Sequence, residues 1–290
     1  MPAAYDWLVV GDIALERSGD RGSAVLLGGA GARLAAHGAA NAARVALVAK
    51  TGDDAAGRSA REVLARFRVD LRFAPVAPGQ RTTTWTETAG RPQARRLDRG
   101  ADLLLRLDEI PGPASIRAGL TVVSGFSLSV EPARSAALGA LAGARARGGM
   151  AALQLEADLL WWTNARVARV VLEPAVANAD LVALTAADLA VLFGSRTSSG
   201  DGLRAIGRMG PATAYLADRD GGLLLLDQGH THVIASSPKR PATDRFAGPA
   251  AFFRAVAAGV SPRRAAAESL VYAQTARRPA VRRSPGARTA

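Results

Sequence analysis

Residues 26–57 read LLGGAGARLAAHGAANAARVALVAKTGDDAAG, and they set the type of chain. Gly28–Gly31 form a glycine-rich loop, Ala32–Ala43 are helix formers, and Arg44–Lys50 (RVALVAK) is a short apolar run of strand character. A glycine loop ahead of a helix is a generic setting in which backbone can approach a polar ligand. Upstream, Tyr5–Val10 (YDWLVV) is another apolar run and ends on Gly11, as a buried first strand would. Strand, loop, helix and strand in this order begin an alternating α/β chain.

The alternation continues downstream. Gly57–Phe67 has helical spacing, with Val63, Leu64 and Phe67 between charges. Leu120–Ser124 reads as a strand closed by Gly125, Pro132–Ala146 as an Ala-rich helix, and Met150–Leu155 as a strand. Asp180–Ala183, Ala214–Ala217 and Gly222–Leu226 read as strands; Ala186–Phe193, Pro249–Ala258 and Arg263–Ala276 read as helices. Short apolar strands separated by helices predict a mostly parallel sheet covered on both faces. Thr82–Leu97, a polar, Thr-rich stretch split at Ala89-Gly90, breaks the pattern and reads as a hairpin with one exposed face.

Composition narrows the function classes. The chain has 290 residues, 49% hydrophobic and 21% charged, which fits a folded globular protein. Aromatics are 5%, so Ala, Val and Leu must build the core. With no Cys, disulfides, zinc–thiolate sites and catalytic thiols are excluded. No apolar run approaches a membrane span, and the first 20 residues lack the basic start of a secretory signal, so the expected compartment is the cytoplasm. The net charge is +12, but every basic residue except Lys50 and Lys239 is Arg, scattered along the chain as a compositional bias. The densest group, Arg277, Arg278, Arg282, Arg283 and Arg288, predicts a solvated tail with at most weak polyanion contacts, not specific nucleic-acid recognition.

Five stretches in chain order resemble the ribokinase (PfkB) family of sugar and nucleoside kinases. GGAGARLA at 28–35 resembles that family's GG-x-G-A-N-x-A sugar loop, and the distance to TGDDAAG at 51–57 matches without a gap. VSGFSLS at 123–129 is similar to the strand and turn after the family's lid. Asp244 to Phe252 aligns ungapped with D-T-x-G-A-G-D-A-F, and AQTARRPAVRRSPGA at 273–287 with the C-terminal helix and tail. The resemblance implies an α/β fold, a three-layer α/β/α sandwich with a small β lid. Residues 1–290 would form one domain, with lid segments near 12–27 and 82–98. It implies ATP-dependent phosphoryl transfer to a carbohydrate hydroxyl, with magnesium. The sugar, sugar acid or nucleoside-like ligand would lie between lid and sheet, near Asp12, Glu16, Gly28, Gly29 and Arg33. ATP would lie near Thr185, Asp188, Ala217, Arg219 and Gly222. Paired lids would give a homodimer, with Trp85 as an interface anchor or as simple lid packing.

The chain departs from the family where the chemistry is done. The catalytic-base position is Ala250, which cannot ionise, and the anion-hole turn reads Ala247-Gly248-Pro249, where Pro249 has no N–H to donate. Asp244 survives six residues upstream of Ala250. Arg33 replaces an Asn, Glu16 a shorter Asp, and the N-x-x-E motif appears as Thr185-Ala186-Ala187-Asp188, leaving Asp188 a weak magnesium candidate. In the nucleotide turn Ala217–Gly222, Arg219 replaces a glycine. The expected activity is therefore lost or very weak. The alternative is a non-catalytic pseudokinase acting as a small-molecule sensor or regulatory partner. Arg33 is expected either to bind an anionic ligand or to pair with Glu16 inside the former pocket. His230 and His232 share one strand face without an evident third metal ligand, and Trp161-Trp162 is expected to bury one ring only.

Overall fold

Strand β1 (Ala3–Val10) explains the layering. Trp7 and Val9 join one hydrophobic core, while Leu8 and Val10 join another. A strand buried on both faces needs cover above and below. The computed structural model describes residues 1–18, 25–88, 91–218, 222–235 and 244–281.

After β1 come two strands of a second sheet, β2 (Ala14–Ser18) and β3 (Val25–Gly28), then helix α1 (Ala30–Ala40) and strand β4 (Val45–Val48). The short β5 (Thr51–Gly52), helix α2 (Ala55–Arg66), the short β6 (Val76–Ala77), and strands β7 (Thr83–Thr88) and β8 (Arg91–Asp98) follow. The chain then runs through β9 (Ile116–Ser124), α3 (Ala133–Ala142), β10 (Met150–Gln154), α4 (Ala165–Ala177), β11 (Leu181–Thr185) and α5 (Ala186–Phe193). It ends with α6 (Ser199–Met209), β12 (Thr213–Ala217), β13 (Leu223–Asp227), β14 (His230–Ala235), α7 (Ala247–Ala257) and α8 (Pro262–Thr275).

The main sheet has eight strands in the order β14-β13-β12-β11-β10-β9-β1-β4, all running the same way except β13, which pairs antiparallel with both β12 and β14. Helices α1, α2, α7 and α8 share a core with Trp7 and Val9, and α3 to α6 share one with Leu8 and Val10. The result is the expected α/β/α sandwich. Most pairing partners of β1 are β-branched or aliphatic, such as Leu8 opposite Ala46 and Thr121, and these pack well on a pleated surface.

Two glycines let α1 approach the end of β1. Gly29 has φ 83°, and a Cβ there would stand 2.8 Å from the Asp12 carbonyl oxygen. A Cβ on Gly31 would stand 2.7 Å from the Asp12 amide nitrogen. Only glycine fits both contacts, and so the N-terminus of α1 meets the Asp12 side chain.

The small sheet has the order β3-β2-β7-β8, with β2 and β7 parallel and the other pairs antiparallel. The Thr-rich stretch does form paired strands, β7 and β8. Asp54 ties this sheet to the body: it caps α2 by accepting from Gly57 N–H (2.8 Å) and also accepts from Thr82 N–H (3.0 Å). Residues 279–281 lie along β3: Leu27 N–H donates to the Pro279 carbonyl and Val281 N–H to the Val25 carbonyl, each at 2.9 Å.

Several elements differ from the sequence reading. The helix expected over Pro132–Ala146 ends at Ala142, and Arg145–Arg147 form a separate 3-10 turn beyond Gly143. Helix α7 starts at Ala247, two residues before Pro249, because the first turn of a helix tolerates a residue without an N–H. Two helices had no sequence assignment. α4 carries Pro174 inside it, and α6 contains three glycines, so local propensity hides both. Among the described residues no helix is long and apolar enough to cross a membrane.

Candidate functional site

Two cavities lie at the C-terminal edge of the parallel strands, where α/β sheets usually bind ligands. The first, about 370 Å³, opens between the small sheet and the body. Among its lining residues are Asp12, Glu16, Gly29, Arg33, Trp85 and Glu156. The second, about 200 Å³, is lined by Thr185, Asp188, Ala217, Gly222, Gly248 and Pro249, with Gln154, Tyr215 and Leu270 among its other walls. The structure thus gathers four of the five expected substrate positions in one cavity and four of the five expected nucleotide positions in the other. Gly28 ends β3 and lines neither. Arg219 lies outside the described residues, as do Arg282, Arg283 and Arg288 of the tail.

Asp12 follows β1 and is buried at the start of α1. Oδ2 accepts from Ala30 N–H (3.2 Å), while Oδ1 accepts from Gly31 N–H (3.1 Å) and lies 3.0 Å from Ser124 Oγ. Burial raises its pKa despite these donors.

Arg33, on α1, has a different principal partner from the one expected. Its Nε and Nη2 donate to the two carboxylate oxygens of Asp244, at 3.1 and 2.5 Å. Its Nη1 lies 3.8 Å from Glu16 Oε2, the contact the sequence predicted, but Glu16 is bonded more closely to Arg278. The reason is geometric: Asp244 has no exposed side-chain surface and faces Arg33 across the core, whereas Glu16 sits on the small sheet within reach of two guanidiniums. Asp244 also accepts from Phe246 N–H (3.0 Å), and His37 Nε2 stands 2.9 Å from its Oδ2. Burial alone would raise the Asp244 pKa, but His37 and Arg33 beside it outweigh that and hold the carboxyl well below the usual range. The guanidiniums of Arg33 and Arg245 both lie over the Phe246 ring, at 4.5 and 4.7 Å.

At the start of α7 the positions given to transfer chemistry are closed or plain. Ala250 is fully buried in the core with Phe252 and Phe253 and lines neither cavity. Ala247 is also buried; Gly248 and Pro249 face the second cavity, and a Cβ on Gly248 would collide with Tyr215 Oη.

Thr185 and Asp188 form a capping box that starts α5. Asp188 Oδ2 accepts from Thr185 N–H (2.8 Å) and Oγ1–H (2.7 Å), and Oδ1 accepts from Ala157 N–H (2.7 Å). Burial pushes its pKa up. Among the described residues no group of three or more His, Asp or Glu side chains could hold a metal ion, and His230 and His232 have no third partner of that kind. Asp188 is already engaged by three protein donors, so these residues do not fit a protein-held magnesium.

Sequence reasoning missed Glu156 and Arg245. Glu156 follows β10, and a carboxylate directly after an apolar run at Met150–Leu155 was the available signal. Its Oε2 lies 3.0 Å from Ser124 Oγ and 3.3 Å from Phe126 N, and its Oε1 accepts from Arg245 Nη2 (3.0 Å). Burial, the largest cause, pushes its pKa up to about 8, with Arg245 opposing and Asp12 and Asp188 adding to the rise. The first cavity's aromatic wall was also unforeseen as a group: the Trp85 and Trp161 rings stand 5.5 Å apart edge to face, and Phe126 is 5.3 Å from Trp161. Trp162 is buried, as one ring of the pair was expected to be.

No family model matches the chain. A fructokinase of Klebsiella pneumoniae is 28% identical over 242 residues, covering 81% of this chain and 76% of that protein. The chain is thus similar to a carbohydrate kinase of the kind its sequence motifs resemble. Solved structures agree on its fold. The fructokinase of Vibrio cholerae with fructose, ADP and calcium ion superposes with a TM-score of 0.81 at 21% identity, covering 92% of this chain and 90% of that one. The aminoimidazole riboside kinase of Salmonella enterica, complexed with aminoimidazole riboside and an ATP analog, gives 0.79 at 20% identity and covers 92% and 90%.

Proposed function

We propose that this chain is a ribokinase-family protein that binds a sugar acid or phosphorylated sugar in the first cavity, under the small sheet acting as a lid, with ATP or ADP in the second. We further propose that phosphoryl transfer is slow or absent. One observation carries the ligand class: Arg33, Arg95, Arg245 and Arg278 all line the first cavity. Each has a carboxylate partner, Asp244 for Arg33, Asp158 for Arg95, Glu156 for Arg245 and Glu16 for Arg278. Glu16 serves both Arg33 and Arg278. Burial lowers the Arg33 pKa, Asp244 resists, and Arg278 and Arg245 push it down further, so these cations repel one another. An anionic ligand would relieve that repulsion and accept charge-assisted hydrogen bonds; a neutral sugar would not.

The slow step follows from Ala250 and Pro249. A missing positioned base typically costs about 10²–10⁴ in rate, and a missing oxyanion-type donor about 10²–10³. A non-catalytic sensor is the limiting case of this reading. Calorimetry and thermal shift with gluconate, galacturonate, glucose 6-phosphate and fructose, each with and without ATP and magnesium, test it. The expected result is binding of the anionic ligands and not of fructose, with little ADP formed. Fructose binding as tightly as the acids would refute the ligand class.

A further inference from the structure

Among the described residues, only Glu156 and Arg245 line both cavities. Glu156 stands beyond β10, at the end of a central parallel strand, with its side chain anchored from three directions. Ser124 on β9 and the Phe126 amide hold Oε2, and Arg245, just before α7, holds Oε1.

Ser124 also bridges two carboxyl groups. Its Oγ lies 3.0 Å from Asp12 Oδ1 and 3.0 Å from Glu156 Oε2. A hydroxyl has one proton and can donate to one carboxylate at a time. The second contact is a hydrogen bond only when that carboxyl itself carries a proton and donates it to Oγ. Asp12, Ser124 and Glu156 therefore form a chain with room for one additional proton, running from the wall of the first cavity to the junction with the second.

We propose that Glu156 is the proton acceptor for phosphoryl transfer across this junction, and that whatever transfer the chain performs passes through it. This rests on the reading above that the first cavity takes a sugar-like anion and the second a nucleoside triphosphate. A hydroxyl of the first ligand gives its proton to the Glu156 carboxylate. Its oxygen forms a bond to the terminal phosphorus, the bond from that phosphorus to the bridging oxygen breaks, and the nucleoside diphosphate leaves with the electron pair. Arg245 neutralises charge on the moving phosphoryl group, and the proton on Glu156 passes along Ser124 toward Asp12 or out to water. Ala250 takes no part.

The groups facing Glu156 are Asp12 after β1, Ser124 on β9, Asp188 on α5 and Arg245 before α7. Because burial pushes the Glu156 carboxyl up to about 8, only a minor fraction is ionised at neutral pH. Turnover should then rise about tenfold per pH unit below that value and level off above it.

The test uses the full chain with ATP and magnesium and gluconate, galacturonate or glucose 6-phosphate, reading ADP release beside calorimetric binding. The expected result is slow ligand-dependent ADP release with this pH profile. Glu156→Gln should lower it by at least about 100-fold while both affinities stay within a few-fold. Glu156→Asp keeps the charge and should retain a reduced, still pH-dependent rate; it also serves if the Gln variant does not fold. Binding of both ligands without any ligand-dependent ADP release overturns this inference and leaves the binding reading intact. A Gln variant as active as the parent does the same. Failure of every ligand to bind overturns both.

Discussion

Arg33 and Asp244, 211 positions apart in the chain, form a two-point ion pair that joins α1 to the start of α7 at the wall of the first cavity. The Arg33 side chain is 9% exposed and that of Asp244 0%, so solvent does little to screen the pair. Removing one member strands a buried charge, typically at about 3–5 kcal/mol. Arg33→Met and Asp244→Asn should each cost a few kcal/mol in chemical denaturation. The double change Arg33→Met with Asp244→Leu should recover much of that, because no charge is left alone. A double variant as unstable as the sum of the singles would show that the pair contributes no coupling.

The two limbs of the pH–stability curve should have different owners. Asp244 is depressed below 3.8 in the fold, so its share is present above that value and lost as pH falls through the lower folded one. Glu156 is raised from 4.5 to about 8, so its share is complete below about 4.5 and lost as pH rises through about 8. Asp12 and Asp188, also raised by burial, act with the same sign as Glu156. Denaturation midpoints measured across this range should show Asp244→Asn flattening the acid limb and Glu156→Gln flattening the alkaline one.

The layered fold was legible because its signals are local. YDWLVV, the Gly28–Gly31 loop and RVALVAK each declare their structure within a few residues, and Ala186–Phe193 came out with the observed ends. α4 and α6 were not legible, because their helicity comes from burying Leu172, Leu203 and Ile206 against the sheet in spite of Pro174 and three glycines. The cavity positions Asp12, Glu16, Gly29 and Arg33 followed from spacing relative to the resemblance. Their partners did not, since Arg33–Asp244, Glu16–Arg278 and Glu156–Arg245 join distant segments, and no periodicity connects such residues.

The C-terminal arm should control the small sheet. Leu27 N–H donates to Pro279, Arg66 Nη2 donates to the Ala280 carbonyl (2.7 Å), and Arg278 reaches Glu16 inside the first cavity. Deleting residues 277–290 removes all three contacts. Hydrogen exchange at Leu27 should quicken markedly. Affinity for gluconate should fall about tenfold or more, since a hydrogen bond to a charged group contributes about 1.5–3 kcal/mol. Unchanged exchange at Leu27 would mean the arm lies passively on the surface.

Restoring an acid at position 250 offers the sharpest contrast with Glu156. Ala250 N–H bonds to the Phe246 carbonyl (3.0 Å), one turn earlier, and its methyl is fully buried in the same core as the Phe246, Phe252 and Phe253 rings. An Asp carboxylate there would enter an apolar contact layer, and of the nearby described cations Arg33 is committed to Asp244 and Arg245 to Glu156. Burying an uncompensated polar group costs about 1–3 kcal/mol by mutational measures, and more for a charge. Ala250→Asp should therefore be destabilised by a few kcal/mol in urea titration and gain little ADP-forming activity. Glu156→Gln should keep its fold, because the amide is isosteric, and lose the activity present. If Ala250→Asp instead folds normally and turns over ligand quickly, then the start of α7 opens when ligand binds, and the proton acceptor belongs there and not beyond β10.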